Sequence, residues 1–489
     1  MKWTLLALAL MGCETGVKDG PQTTAFPPDL PMFAPTAVIG APEVIWQQER
    51  TLLDGSASFD PFGAALTAWR WSCEDGTTAS GPQVEVFLSG EGVVSCSLAV
   101  ETEDGRVGST STGLPVGVRD TAQWTVLVFL AGDNDLETNA VEDFNEMELA
   151  GSTDEVKVVV QIDRSRRYSS EDGDWSGSRR YLVERDTAPN VMASPVLAEL
   201  GSLDSGSPDT VEDFVRWGVE AYPAAHYALV MWDHGEGWTR RSAEDGTKSF
   251  SIDEGSGNDI SVVDGELEQI LATAAEVTGG KLDLVGFDAC LMGGWEIAHV
   301  TAPYANTFVA SQATEGVDGW AWDTLLSGLI ADPSMSAADL GVIIAESFME
   351  ESDWGSTLSV TDLTRLSTLD AALDQLANTA ISEGLEAEVL AAMDEGTDFE
   401  WGWGDDHDLL TALGKVEQRV SNAPVRDASV EVLNALDEVV LFADGDGEYK
   451  GVGGLSIFSP GGSRWDSDYL DGSWCDDSSW DELVQGAAR

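Results

Sequence analysis

The sequence predicts an α/β protein, a mostly parallel sheet with helices on both faces, preceded by a small all-β sandwich. Two observations carry this. From Gln123 onward, continuous apolar runs such as "WTVLVFLA", "VKVVVQID" and "LDLVGFD" alternate with helical stretches such as "VEDFVRWGVEAY", and uninterrupted apolar strands belong to sheets covered on both faces. From Pro35 to about Val118 the grammar differs: short β-like runs are separated by turn residues, as in a sandwich. With 489 residues, 43% of them hydrophobic, the chain has core enough for about two to four domains.

Taken in order, residues 1–12 read as an export signal: Lys2, then an apolar run from Trp3 to Met11 that is far too short to span a bilayer. Its end, Leu10-Met11-Gly12-Cys13, resembles the lipobox of bacterial lipoproteins, which implies lipidation at Cys13; the alternative is an ordinary signal peptide with an incidental cysteine. Residues 13–33 hold four prolines and no apolar periodicity, which fits a flexible linker. Glu14 after Cys13 leans toward an outer-membrane or cell-surface location for an exported, lipid-anchored protein. Membrane contact is then through the lipid alone.

Residues 34–118 form the sandwich. Cys73 and Cys96 fall in this strand-rich region of an exported chain, so they are placed to form a disulfide. Trp69 and Trp71, two apart, share one face of a strand and are read as core. The segments "LDGSASFDPFG", "AWRWSCEDG" and "LAVETEDGRVG" resemble the polycystic-kidney-disease (PKD) repeat, an immunoglobulin-like module. A spacer or weak adhesion role follows from that resemblance.

Residues 122–489 make up the α/β domain, with strands expected at 124–131, 156–163, 227–233, 282–288, 307–312 and 453–459. Functional groups in such sheets gather beyond the carboxyl ends of the strands. Three segments leave strands there: "LAGDNDLE", "MWDHGEGW" and "GFDACLMGG".

Composition removes one class of function. Against 25 basic residues stand 87 acidic ones, a net charge of −62, and a phosphate backbone needs the basic face that this chain lacks. No nucleic-acid partner is expected. Of four histidines, His226, His234, His299 and His407, only His234 leaves a strand end, and Gly235 follows it with a backbone amide free to approach a ligand. Cys290 leaves the next strand end. As thiolate it is a nucleophile, given a nearby base or a helix N-terminus, and "LMGGWEIAHV" reads as the start of a helix. The alternative is a small buried hydrophobe. Cys475, in "GSWCDDSSW", has no histidine in its own segment and reads as a free thiol.

The ordered set "LAGDNDLE", "FNEMELAGSTDEVKVVVQIDR", "ALVMWDHGEGW", "LDLVGFDACLMGGWEIA", "VASQATEGVDGWAW", "GVGGLSIFSP" and "SWDELV" resembles the clostripain family of cysteine peptidases, members of the caspase-like clan. The resemblance implies a caspase-like sheet and an endopeptidase cutting after arginine or lysine, which the lipobox would anchor by a lipid. His234 matches the catalytic histidine, Cys290 the nucleophile, and Gly235 would join the oxyanion hole. Asp288 matches a carboxylate facing the substrate side chain on the acyl side of the cut, where an acid favours a basic partner; a helix-capping role is the alternative. By the same resemblance Asp318 would add a second carboxylate to that pocket, although Gly316-Val317 stand where the family shows proline and glycine.

Family members are often matured by a cut between histidine and cysteine, and Arg240, Arg241 and Lys248 lie in that interval; the alternative is a plain surface loop. The chemistry requires no cofactor. Calcium dependence occurs in the family, and "GDNDLE" (132–137) and "ADGDGEY" (443–449) offer oxygen ligands, though neither has the full spacing of a calcium loop. Two rival functions share the scaffold: a non-catalytic surface binding or adhesion protein, and a peptide ligase using the same dyad.

Overall fold

The run "WTVLVFLA" lies inside strand β1, Ala122–Gly132, in a computed structural model that describes residues 33–488 except 43–44, 47–49, 89–91, 118–120, 189–190, 240–249, 353–354, 400–404 and 461–465. The expected signal segment, Cys13 and nearly all of the linker lie outside the described residues, as do Arg240, Arg241 and Lys248. Among the described residues no helix is long and apolar enough to cross a membrane. The chain divides into two compact units, 1–119 and 120–489.

In the first unit, two mostly antiparallel sheets enclose a small core. Leu66–Cys73, Gly92–Thr102 and Val107–Gly117 are neighbours in a five-stranded sheet, while Arg50–Asp54 pairs with Gln83–Phe87. Alternation decides which side chains go inward: Val94, Cys96, Leu98 and Val100 are buried together with Trp71. Trp69 is half-buried, and its indole N–H donates to the Gly55 carbonyl at 3.1 Å. The Cys73–Cys96 disulfide joins residues that lie directly opposite each other on adjacent strands of one sheet.

The second unit is built on a nine-stranded sheet. After β1 come β2 (Val156–Arg164), β3 (Gly177–Leu182), β4 (Ala198–Gly201), β5 (Ala224–Trp232), β6 (Leu282–Asp288), β7 (Ala305–Ala310), β8 (Thr357–Asp362) and β9 (Val440–Gly445). Their order across the sheet is β4-β3-β2-β1-β5-β6-β7-β8-β9. The five middle strands are parallel and the two at each edge antiparallel. Strand order therefore reverses between β1 and β5, which is where a crevice opens in folds of this kind.

Successive residues of the middle strands serve two cores. Leu127 and Phe129 pack on the face covered by α2 (Pro208–Ala221), α3 (Glu266–Thr278), α4 (Trp295–Thr301) and the later α7 (Leu366–Glu383), α8 (Glu386–Met393), α9 (Leu409–Arg419) and α10 (Ala423–Val439). Val126, Val128 and Leu130 pack on the other, with α1 (Glu137–Ala150), α5 (Trp322–Ala331) and α6 (Ala337–Glu351). Burial on both faces explains the unbroken apolar runs.

One expected strand is reassigned. Residues 453–459 do not join the large sheet; Ser456–Phe458 pairs instead with Asp406–Asp408 in a two-stranded ribbon. The edge position belongs to β9, which follows α10 directly. The run is apolar because Trp480 and Tyr469 cover it, not because a sheet does: the Trp480 indole donates to the Phe458 carbonyl at 2.8 Å, and Phe458 lies on the Tyr469 ring.

Candidate active site

Register brings the two candidate catalytic residues side by side. Trp232 on β5 pairs with Asp288 on β6, so His234 and Cys290, each two residues further on, leave equivalent positions of adjacent parallel strands. Contact continues beyond the strands, since Asp233 N–H donates to the Asp288 carbonyl at 3.3 Å. A Cβ on Gly235 would stand 2.2 Å from the Cys290 carbonyl oxygen. Only glycine lets the two backbones approach this closely.

The nucleophile's turn is tight. Leu291, next to Cys290, has φ of 62°, a left-handed conformation that a non-glycine residue adopts at a cost. It is held by its N–H to the Ala313 carbonyl at 2.9 Å, and Gly293 N–H reaches Ser311 O at 2.6 Å. The sulfur of Cys290 accepts the Glu315 N–H at 3.3 Å. Burial, reinforced by the carboxylates of Glu236 and Asp288, pushes the thiol above its ordinary range, against the lowering effect of the Glu315 N–H. The expected helix begins at Trp295 with Gly294 as its cap, five residues past the cysteine.

His234 is half-exposed, and its Nε2 lies 2.8 Å from Asp135 Oδ1. Asp135 comes from the loop after β1, across the reversal point. That loop is tied down by Asn134, whose side-chain amide donates to Asp233 Oδ1 at 2.6 Å and to the Ala131 and Ile252 carbonyls, both at 2.9 Å. Asp233 is buried and its pKa is pushed up to about 7 by that burial.

Beside the cysteine lies an enclosed group of acids. Asp288, 4% exposed, accepts the Trp320 N–H at 3.2 Å and the Trp322 indole N–H at 3.1 Å through Oδ2. It does not cap α4. Burial raises its pKa to about 7. Asp143, on α1, accepts the Trp232 indole N–H at 2.6 Å, and burial and Asp288 hold it well above the carboxylate range. Both carboxyls face Gly319, whose added Cβ would lie 3.0 Å from Asp143 Oδ2 and 3.2 Å from Asp288 Oδ1. Glu315 completes the group, raised by enclosure, then by Asp288 and Cys290. Among the described residues no arginine or lysine acts on any of the three.

Asp318 is exposed in the turn before Gly319. His226 bonds Asp283 at 3.0 Å near the opposite end of β5, His299 lies between Asp370 and Asp477, and buried His407 contacts the Ser459 hydroxyl at 2.9 Å. Cys475 is a free thiol whose sulfur donates to Tyr469 O at 3.2 Å, with its pKa raised to about 12 by burial and surrounding acids. In "ADGDGEY", Asp446 accepts the N–H of distant Ser356 and Asp444 accepts that of its neighbour Gly445.

Sequence reasoning missed Asp143, Glu315 and Asp135. Asp143 did leave a signal: it falls on the apolar stripe of its helix, three residues after Ala140 and four before Met147. An acid in that position needs a reason.

Comparison with known proteins follows the same division. Residues 128–486 match the model of the clostripain family, and residues 32–114 that of the PKD domain. Clostripain of Hathewaya histolytica is 25% identical over 406 residues, 71% of this chain and 76% of that protein. A secreted C11 cysteine protease of Bacteroides thetaiotaomicron, solved with an irreversible peptide inhibitor, superposes with a TM-score of 0.57 at 20% identity, covering 74% of this chain and all of the other. An inactive zymogen C11 protease of Parabacteroides distasonis gives 0.54 at 18% identity, over 75% and 99% of the two chains. These structures share the fold.

Proposed function

Because the chain belongs to the clostripain family of cysteine peptidases, and is thus a cysteine endopeptidase with an N-terminal PKD domain, we propose that it cuts peptide chains after arginine or lysine, with Cys290 as nucleophile and His234 as proton carrier. The observation that carries the specificity is the pair of buried carboxyls, Asp288 and Asp143, with no arginine or lysine among the described residues acting on them. Enclosed acids at close quarters hold their protons until a positive charge enters, and a guanidinium or ammonium group supplies it with charge-assisted hydrogen bonds.

The reaction then proceeds from the resting arrangement. The thiol, protonated where it lies, needs a base; His234 is half-exposed and free to turn from Asp135 toward the sulfur and take the proton. Sulfur attacks the carbonyl carbon, and backbone N–H groups at Gly235 and Cys290 stabilise the charge on its oxygen. His234 returns the proton to the leaving amine, and water releases the acyl group from sulfur. Upstream, lipidation at Cys13 anchors the enzyme to the bacterial envelope, on the outer membrane or cell surface. Maturation occurs by a cut at Arg240, Arg241 or Lys248; a variant lacking all three should stay a single chain under conditions that split the wild type.

The test is cleavage of paired fluorogenic peptides ending in arginine, lysine, alanine or aspartate, by the wild type and by Cys290→Ala. Arginine and lysine peptides should be cut, and the variant should cut none. Absence of any cleavage after limited proteolysis would favour the binding-scaffold reading, and ligated products in the mass spectrum would favour a ligase.

A further inference from the structure

Strand order sets the direction in which a substrate crosses the cysteine, and one acidic side chain stands on the departing side. β5, β6 and β7 are neighbours in that order, so the segments that follow β5 and β7 flank the turn after β6 from opposite sides. From the β7 side, the Ala313 and Ser311 carbonyls hold Leu291 and Gly293, and the N–H groups of Trp320 and Trp322 hold Asp288. From the β5 side come His234, Gly235 and Gly237. A substrate that sets its acyl-side residue at Asp288 and takes a proton from His234 on its leaving amine therefore runs from the β7 side to the β5 side.

On the β5 side the backbone is pinned at both ends of a short segment. A Cβ on Gly235 would meet the Cys290 carbonyl oxygen at 2.2 Å, and one on Gly237, where φ is 72°, would lie 3.4 Å from the Leu291 oxygen. Trp238 is 3% exposed and packs edge-on against Phe458 and Tyr469. From Gly235 to Trp238 only Glu236 is exposed. Its carboxylate acts on the Cys290 thiol, ahead of Asp288 among the charges that do. An exposed acid this near the sulfur is within reach of a chain laid across it. Asp135, with its side chain 63% exposed, adds negative charge beside His234 on the same side.

We propose that Glu236 receives the side chain of the residue directly after the cut and favours lysine or arginine there, so that the preferred substrates carry two basic residues in succession. This rests on the peptidase reading of the site. An ammonium or guanidinium group after the cut meets an opposite charge, and a glutamate there meets a like one. The discrimination is modest, because the carboxylate is solvated.

Internally quenched peptides that differ only in the residue after the cut, with lysine, glutamine or glutamate behind a common arginine, test it through kcat/KM. The wild type should cut the lysine peptide about three- to fivefold faster than the glutamine peptide and the glutamate peptide slowest. The spread should shrink in about 0.5 M sodium chloride. Glu236→Gln should bring the lysine-to-glutamine ratio to about one, and Glu236→Lys should reverse the order. An effect common to all the peptides, such as easier loss of the thiol proton, cancels in the ratio. Equal rates for all of them in the wild type, or an undiminished lysine preference in Glu236→Gln, would overturn the proposal. Should the wild type cut behind another residue and not behind arginine, the arginine reading fails alone, and the same comparison behind that residue decides the role of Glu236.

Discussion

At Asp288 the protein keeps a carboxyl where it is expensive, and the neighbours suggest why. Two tryptophan N–H groups hold it, Asp143 stands beside it, and its pKa reaches about 7. If this pair receives a basic side chain, Asp288→Asn should lower kcat/KM for arginine peptides by about 100-fold, roughly 3 kcal/mol of transition-state binding. Asp143→Asn should cost about tenfold, and exposed Asp318→Asn less than about twofold, because a solvated rim charge contributes little. Peptide kinetics on the three variants decide the ranking. A larger loss at Asp318 than at Asp143 would move the pocket to the surface turn.

Among the elements, α4 shows how a short helix can be wired to the chain end. Its Glu296 is fully buried; Oε1 accepts the Phe458 N–H at 3.0 Å and the Tyr469 hydroxyl at 2.8 Å, while Oε2 accepts nothing. Burial raises its pKa from 4.5 to about 7. The folded form then binds more protons than the unfolded form between those values, so this group's contribution to stability falls as pH rises through that window. Glu296→Gln keeps the acceptor and removes the charge. It should unfold at a higher temperature than the wild type at pH 8, by on the order of 1–3 kcal/mol, and show no such gain at pH 4. Equal melting curves at both pH values would mean that the carboxyl ionises freely in the fold.

For the whole molecule, charge dominates. With 87 acids and 25 basic residues, self-repulsion works against both compact units, and it is screened over about 10 Å at 0.1 M salt. Calorimetric scans across a sodium chloride series should show the unfolding temperature rising with salt, more at pH 8 than at pH 5, where the buried acids already carry protons. A flat response would place the acidic surface in local ion pairs, such as Arg179 with Glu199 and Arg419 with Glu395.

By itself the amino-acid order determined what repeats locally. Apolar runs buried on both faces marked the five parallel strands, and turn-punctuated alternation marked the sandwich, because burial leaves its period in consecutive residues. It also placed His234 and Cys290 just past strand ends. Only tertiary structure decided the edges and the partners. The strands β3 and β4 are short and partly polar, and the apolar run at 453–459 owes its character to Trp480 and Tyr469 rather than to the sheet. Asp143 meets Asp288, and Asp133, Asp163 and Asp253 meet each other, across intervals that no periodicity spans. A carboxylate's cost and use depend on which charges and donors the fold brings within a few ångströms, and that proximity is a property of the packed chain.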